Sequence, residues 1–274
     1  MIRIISDSSS NILQRENSDY RTVPFRFVID GKDYVDDENL VLEDLVNAFD
    51  STKEKSSSAC PNIQDWMDQF NSEDDNICVT ISKNLSGAYS SAMQAKDIFE
   101  EETGHRVEVL DSHSTGPEME LDIEKIEELI KENLSVGEIL EKLTEYKNHT
   151  NVFFLTSSVK NLVNNGRVSK FAGAVVGALH ISMIGRGTDE GRIEIIRKTR
   201  NSKQAMDYIY TKMKELGFNG GKVRISDCFN ESGCRYLSDK IKNDFPAADV
   251  ICRSVTGLCS YYVENKGIII AFED

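Results

Sequence analysis

Apolar and polar positions alternate along the first half of the chain in blocks that predict strands and helices in turn. Short apolar runs predict strands at residues 1–5, 22–29, 77–81 and 107–110. Longer runs with helical spacing predict helices at 42–49, 63–70, 85–99 and 123–130. Strands that alternate with helices favour an α/β fold with a largely parallel sheet, covered by helices on both faces.

A second cycle of elements begins near Asn151. Strands are predicted at 152–156, 181–184, 193–197, 223–226, 249–253 and 267–272, and helices at 159–163, 171–179, 203–216 and 231–243. The segment 187–191 is rich in glycine and acidic residues and predicts a hairpin turn. A polar stretch at 145–150 follows the amphipathic helix at 136–146. We therefore expect an α/β domain over residues 1–150 and a second over 151–274.

Charge and hydropathy exclude several function classes. The formal net charge of −14 opposes nucleic-acid binding, which depends on Lys and Arg contacts to phosphates. No apolar run approaches 18 residues, so no membrane span is expected. The first residues become polar too soon for a signal peptide, and we expect a cytoplasmic protein.

The six cysteines give no sign of a metal site. None forms a C-x-x-C pair, and the histidines are not at ligand spacing from them. Cys78 and Cys252 fall in apolar strand runs, which is typical of small core residues. In a cytoplasmic protein all six thiols are expected to be free.

The segment 84–92, Asn-Leu-Ser-Gly-Ala-Tyr-Ser-Ser-Ala, carries the most informative candidate chemistry. Ser86 and Gly87 fall where a predicted strand gives way to a helix that starts near Leu85. The first N–H groups of a helix lack internal partners and carry partial positive charge, so they can bind a small anion. The alternative interpretation is a plain serine N-cap.

Three other segments place hydroxyls, glycine or arginine beside element ends. They read Ile-Ser-Asp-Ser-Ser-Ser-Asn at 5–11, Ser-Ser-Ser-Ala-Cys-Pro-Asn at 56–62, and Leu-Val-Asn-Asn-Gly-Arg-Val-Ser at 162–169. With segment 84–92, this ordered set resembles the DegV family of bacterial fatty-acid-binding proteins. The family patterns are D-S-T near the start, T-S-Q-P, L-S-G-T-Y-x-S-A, a D-S pair near the middle and L-x-x-G-G-R-I-S. Some members are lipid-presenting subunits of a bacterial fatty-acid kinase.

The resemblance implies a two-domain α/β fold with a long-chain fatty acid held between the domains and no cofactor. Such a site needs an apolar tunnel, and hydroxyls, N–H groups or a cation at its end to pair the carboxylate. By the family pattern, Ser86 and Gly87 supply one part and Ser58 matches the threonine of T-S-Q-P, with Ser57 as a one-residue rival. Arg167 matches the arginine of G-G-R and brings positive charge to the head group. The small-residue apolar stretch 171–179 could line the acyl chain or be a packed core helix.

The same resemblance suggests roles for residues outside these four segments and for Asp7. Arg200 matches an arginine that precedes a helix in a region thought to help present the lipid to the kinase, although it could equally be a solvated surface residue. The family histidine near the C-terminus matches Val255 here, which leaves Thr256 as a further head-group candidate. Asp7 and the pair Asp111-Ser112 match D-S pairs, with helix capping or the pocket rim as their two possible roles.

Two other classes of function have less in their favour. No phosphate-binding loop, G-x-S-x-G elbow or H-E-x-x-H motif occurs, so an intrinsic hydrolase or transferase acting on a small acyl or phosphorylated substrate has no motif to support it. A scaffold without a ligand would have an empty, collapsed groove. The sequence therefore favours a binding protein that is not itself an enzyme.

Overall fold

The computed structural model describes residues 2–168 and 181–274. Its strands are β1 (Ile2–Asp7), β2 (Tyr20–Val23), β3 (Arg26–Ile29), β4 (Lys32–Val35), β5 (Ser57–Ala59), β6 (Asp75–Thr80), β7 (Val107–Asp111), β8 (Thr150–Thr156), β9 (Ser182–Gly187), β10 (Ile193–Thr199), β11 (Lys222–Asp227), β12 (Asp249–Ser254) and β13 (Ile268–Glu273). Its α-helices are α1 (Leu42–Ser51), α2 (Ile63–Met67), α3 (Ala88–Thr103), α4 (Pro117–Lys131), α5 (Val136–Tyr146), α6 (Lys160–Asn164), α7 (Ser202–Glu215), α8 (Glu231–Asp244) and α9 (Gly257–Val263).

The first sheet is parallel throughout, with the strand order β2-β1-β6-β7. Ile4 in the central strand lies opposite Tyr20 on one side and Ile77 on the other, and all three are buried. Parallel strands end at one edge of a sheet, so the loops after β1, β6 and β7 meet there. The backbone N–H of Ser82 donates to the Ser114 carbonyl at 2.9 Å across two of these loops.

The second sheet mixes strand directions in the order β10-β9-β8-β13-β11-β12. Its β11 and β12 pair in parallel, and its other neighbours pair antiparallel. The predicted hairpin is confirmed, because β9 and β10 pair antiparallel across a turn closed by the Gly191 N–H on the Thr188 carbonyl at 2.7 Å. The predicted α/β class is correct, with the parallel sheet in the N-terminal part of the sequence.

A third, antiparallel sheet with the order β4-β3-β5 was not expected from the sequence. The prediction of one strand over 22–29 is wrong, since the backbone leaves the first sheet after Val23 and begins β3 at Arg26. Pro24 lies in the gap and has no N–H to donate to a strand ladder. Ser58 in β5 lies opposite Phe27, in a strand whose serines gave no apolar signal.

Helix α4 connects the first half of the protein to the mixed sheet. It packs against β11 and β13. Buried Arg224 on β11 donates from Nε and Nη2 to the two carboxylate oxygens of Glu124 on α4, at 3.0 and 2.7 Å. This bidentate geometry gives a strong, directional ion pair. The parallel and small sheets use residues up to Asp111 and the mixed sheet starts at Thr150, while the domain boundary at 150 stays a prediction.

Two of the six cysteines are bonded to each other, so the prediction of six free thiols is wrong. Cys234 on α8 and Cys252 on β12 form a disulfide with a Cα–Cα distance of 6.4 Å, within the usual range for such bonds. Cys252 is exposed and not a core residue, because it lies on the edge strand of the mixed sheet. The other four cysteines are free, and Cys78 is buried in the core as predicted.

Membrane-spanning and metal-binding features are both absent from the described residues. Across 2–168 and 181–274, no helix is both long and apolar enough to cross a membrane. The same residues contain no group of three or more His, Cys, Asp or Glu side chains that could hold a metal ion. The predicted helix at 171–179 lies outside the described residues.

The tip of the β9–β10 hairpin docks onto loops of the parallel sheet. Ser82 Oγ donates to the Gly191 carbonyl at 2.8 Å, and Asn84 Nδ2 donates to the Glu190 carbonyl at 2.7 Å. Gly191 has φ +73, and a Cβ there would lie 2.3 Å from Ser82 Oγ and 2.7 Å from the His113 carbonyl oxygen. The approach of the hairpin therefore requires glycine for both conformation and space.

We predict that Gly191→Ala destabilises the protein more than Gly31→Ala. Gly31 has φ +76 with open space around the added Cβ, so its substitution should cost only the left-handed backbone penalty of about 1–2 kcal/mol. Gly191→Ala adds a backbone clash to that penalty. Urea unfolding of both variants measures the difference, and equal losses would contradict the close docking of the hairpin.

Candidate functional site

A cavity of about 340 Å³ lies where the loops of the parallel sheet meet the mixed sheet, in the size range of small-molecule sites. Its walls come from β5, β8, the loop after β6, the β9–β10 hairpin, α6 and α9. The apolar lining residues include Phe25, Ile81, Leu85, Val152, Phe154, Leu162, Ile193, Leu258, Val263 and Ile269. Polar and cationic lining residues are Ser58, Cys60, Ser86, His113, Ser114, Thr115, Arg167, Arg192, Cys259 and Tyr262.

The cavity lining has an unusual charge balance for so acidic a protein. Among the described residues that line it there is no carboxylate, whereas two arginines, Arg167 and Arg192, are present. The protein as a whole carries a formal charge of −14. An anionic group placed in the cavity would therefore meet cations and neutral donors at its walls.

Ser86 and Gly87 line the cavity at the start of α3. The helix begins at Ala88, three residues later than predicted, because the N–H groups of Leu85 and Ser86 donate to the Ser82 carbonyl in a separate turn. Ser86 Oγ accepts from the Ala88 N–H at 3.2 Å, and Gly87 occupies the N-cap position. The remaining N–H groups of the first turn have no acceptor within the helix, which suits an anion.

Ser58 lines the cavity and Ser57 does not. The two alternate across β5, so Ser57 is exposed on the opposite face. Ser58 Oγ lies 2.9 Å from the hydroxyl of Tyr262 on α9. The geometry therefore favours Ser58 over Ser57 as the candidate on this strand.

Arg167 lies beyond the end of α6, half-buried at the cavity wall. Its Nη1 donates to the Asn165 carbonyl at 2.7 Å. In the part of the protein that the structure describes, no carboxylate is within ion-pair distance of this guanidinium. Burial raises the pKa of Tyr262, while the hydrogen bond with Ser58 and the charge of Arg167 lower it. Arg167 and Tyr262 both line the cavity.

Other predicted residues lie outside the cavity lining. Thr256 donates its hydroxyl to the Ser8 carbonyl at 2.8 Å and does not line the cavity. Val255 is buried in the hydrophobic core. Arg200 is exposed between β10 and α7. Thr256 therefore joins α9 to the loop after β1, and its contact with a head group stays a prediction.

Buried carboxylates accept hydrogen bonds from backbone N–H groups and so hold the loops around the cavity in place. Asp7 caps the short 3₁₀ helix after β1 by accepting from the Ser9 N–H at 3.1 Å, as the capping alternative anticipated, and also accepts from the Ile81 N–H at 2.8 Å. Asp111 accepts from the His113 N–H at 2.9 Å. Burial raises the pKa of Asp7 from 3.8 to about 6, although these hydrogen bonds lower it.

Asp36 caps the start of α9 in the way that Asp7 caps the 3₁₀ helix. Its two carboxylate oxygens accept from the N–H groups of Gly257 and Leu258 at 2.6 and 2.8 Å, which satisfies the first donors of that helix. Burial raises the pKa of Asp36 from 3.8 to about 6, with the hydrogen bond from the Leu258 N–H as the largest opposing effect. This residue carried no motif, so the sequence did not point to it.

The cavity is also lined by residues that the sequence did not single out as ligand contacts, chiefly Tyr262, Cys60 and Cys259. Tyr262 lies in a short helix that no predicted element covered, and only the three-dimensional pairing with β5 reveals it. Cys259 is buried, which raises the pKa of its thiol to about 12, so it stays protonated at neutral pH.

Comparisons with known proteins agree on one family. The family model that matches residues 1–273 is described as the DegV family. A DegV domain-containing protein of Streptococcus pneumoniae R6 is 35% identical over 99% of this chain and 98% of its own length.

Two solved structures share the whole architecture. A DegV family protein from Eubacterium eligens, loaded with heptadecanoic acid, has a TM-score of 0.97 at 34% identity, covering 100% of this chain and 99% of its own. The Streptococcus pneumoniae Fatty Acid Kinase B3 protein, loaded with linoleic acid, has a TM-score of 0.96 at 35% identity, covering 99% of both proteins.

We predict that Asp36 makes the protein less stable as pH rises from about 4 to about 7. In this window the folded state retains a proton that the unfolded state, with a pKa near 3.8, has already lost, so the free energy of unfolding falls. Asp36→Asn should lower stability by removing a hydrogen-bond acceptor and should also remove this share of the pH dependence.

Urea unfolding at pH 4, 5, 6 and 7 tests this for the wild type and for Asp36→Asn. Asp33→Asn, which removes an exposed carboxylate from β4, is the control and should follow the wild-type pH profile. Parallel profiles for wild type and Asp36→Asn would contradict the assignment.

Proposed function

The chain belongs to the DegV family, and we propose that its cavity binds one long-chain fatty acid and shields it from water. The observation that carries this proposal is the cavity itself, in which an extensive apolar wall accompanies hydroxyls and cations but no carboxylate of the described residues. Each buried CH₂ of an acyl chain gains roughly 0.8 kcal/mol on leaving water. The fatty acids bound in the two similar structures support the same ligand class.

The carboxylate needs partners at the polar part of the cavity, because burying it unpaired is costly. We assign this role to Ser58, Ser86, the Gly87 end of α3 and the Arg167 guanidinium. All four line the cavity, and Arg167 lacks a carboxylate partner among residues 2–168 and 181–274. The two-domain arrangement, with residues 1–150 carrying the hydroxyl-rich loops and 151–274 forming much of the acyl wall, belongs to the same proposal.

We also propose that the bound acid is presented to a separate kinase. The similarity to the Fatty Acid Kinase B3 protein of Streptococcus pneumoniae supports this partner. Arg200 is exposed and lies away from the cavity lining, as a partner-facing residue would. The phosphoryl-transfer chemistry would then belong to the kinase.

An intrinsic hydrolase or transferase is less well supported. A serine nucleophile needs a base within hydrogen-bond reach. Ser58 pairs with Tyr262, and Ser86 accepts from the Ala88 N–H. His113 lines the same cavity, but within the described part of the protein it forms no hydrogen bond with either serine. These contacts favour binding over turnover.

We predict that Ser58→Ala and Ser86→Ala each weaken binding of heptadecanoic acid by about 1–3 kcal/mol, since each removes a hydrogen bond to a charged group. Ser57→Ala is the matched control on the exposed face of β5 and should bind like the wild type. Displacement of a fluorescent fatty acid from delipidated protein measures the affinities. Wild-type affinity in both cavity variants would remove Ser58 and Ser86 from the head-group site.

We predict that Arg167→Met reduces the preference for a free fatty acid over its methyl ester, because methionine keeps an apolar stem and removes the charge. Arg200→Met is the control and should leave both affinities unchanged, while reducing phosphorylation of the bound acid if Arg200 faces a kinase. Arg167 would be a structural residue if its variant retained the full preference for the free acid.

A further inference from the structure

Two consecutive tyrosines on α9 each pair with a serine of the β5 segment. The Tyr261 hydroxyl lies 2.7 Å from Ser56 Oγ, and the Tyr262 hydroxyl lies 2.9 Å from Ser58 Oγ. Tyr261 is fully buried in the core and does not line the cavity, whereas Tyr262 does. The two pairs are chemically alike but differ in their access to a ligand.

The hydrogen-bonding capacity of the two pairs also differs. The Tyr261 hydroxyl additionally accepts from Asn165 Nδ2 at 3.2 Å and is enclosed by protein. The hydroxyls of Tyr262 and Ser58 carry two hydrogens, and their mutual bond uses one of them. Neither hydroxyl has another partner within residues 2–168 and 181–274. Among the described residues, one O–H donor at the cavity wall is therefore left without an acceptor.

The surplus donor suits an acceptor-only ligand group. An ionised carboxylate has two oxygens that accept and no hydrogen to donate. The Arg167 guanidinium lines the same cavity and adds positive charge to it. A ligand hydroxyl or amine would have less to gain there than an anion.

The ring of Tyr262 is held in place by its neighbours. It meets the Tyr261 ring edge to face, with 5.0 Å between centroids and 85° between planes. Tyr261 in turn packs against Phe27 and Phe49, at 5.4 and 5.6 Å. Because the supporting ring is buried, the phenol of Tyr262 has a fixed direction before a ligand arrives.

We propose that Tyr262 is a specificity-determining residue of the fatty-acid site, which with Ser58 donates a hydrogen bond to the ligand carboxylate. This inference rests on the proposed function and names a recognition element that the sequence did not indicate. The phenol–serine pair acts as one unit, since either oxygen can donate to the other while the second hydrogen points to the ligand.

The test compares Tyr262→Phe with Tyr261→Phe, each of which removes one hydroxyl and keeps the ring. Delipidated proteins are titrated with heptadecanoic acid and with methyl heptadecanoate by isothermal titration calorimetry. Tyr262→Phe should weaken binding of the acid about tenfold and that of the ester less than about twofold. Tyr261→Phe should change the stability of the protein but keep the wild-type ratio of acid to ester affinity.

Ser58→Ala and the double variant Ser58→Ala/Tyr262→Phe complete a double-mutant cycle with Tyr262→Phe. If each hydroxyl is needed to orient the other, the O–H that remains in a single variant no longer points to the ligand, and the double variant should bind the acid about as weakly as the weaker single variant. If the affinity loss of the double variant equalled the product of the two single losses, the shared donor would be contradicted. An unchanged ratio of acid to ester affinity in Tyr262→Phe would contradict it as well. A wild-type protein that bound neither compound would instead overturn the proposed function.

Discussion

The Asp36 carboxylate connects the start of α9 to the N-terminal part of the protein, and the cavity depends on that contact. It accepts from two consecutive backbone N–H groups, of Gly257 and Leu258. A Cβ on Gly257 would lie 2.7 Å from Asp36 Oδ1, so glycine is required for the approach. Helix α9 then places Leu258, Tyr262 and Val263 on the cavity wall.

Asp7 has a similar role at the parallel sheet. Its carboxylate accepts from the Ile81 N–H, at the start of the loop that leads to Ser86.

The buried carboxylates lie outside the cavity, whereas the cations line it. Asp7 and Asp36 are enclosed by protein and satisfied by backbone donors, and neither lines the cavity. Arg167, in contrast, faces the cavity without a carboxylate partner in the described ranges. The arrangement leaves positive charge and hydroxyl donors available to an anionic ligand inside a strongly acidic protein.

Local pattern was sufficient to predict the elements whose apolar residues have a clear period, such as β1, β6 and α5, and the hairpin around residues 187–191. It failed where long-range contacts decide the structure. Strand β5 is a serine-rich segment that becomes a strand only by pairing with β3. The disulfide joins a helix to an edge strand, and the spacing of the cysteines alone could not identify that pair.

The motifs placed Ser58, Ser86 and Arg167 on one cavity. They missed Tyr262, because its pairing with Ser58 joins residues about 200 positions apart in the sequence. The hydroxyl of Thr256, which the resemblance also singled out, donates to the Ser8 carbonyl.

Native mass spectrometry of the purified protein would show directly whether its cavity holds a fatty acid. We expect the protein to carry a single added mass that matches one long-chain fatty acid. An organic extract should contain that acid, and the delipidated protein should regain one equivalent when heptadecanoic acid is supplied. If the purified protein carried no lipid and bound no heptadecanoic acid when it was supplied, fatty-acid binding in the cavity would be ruled out.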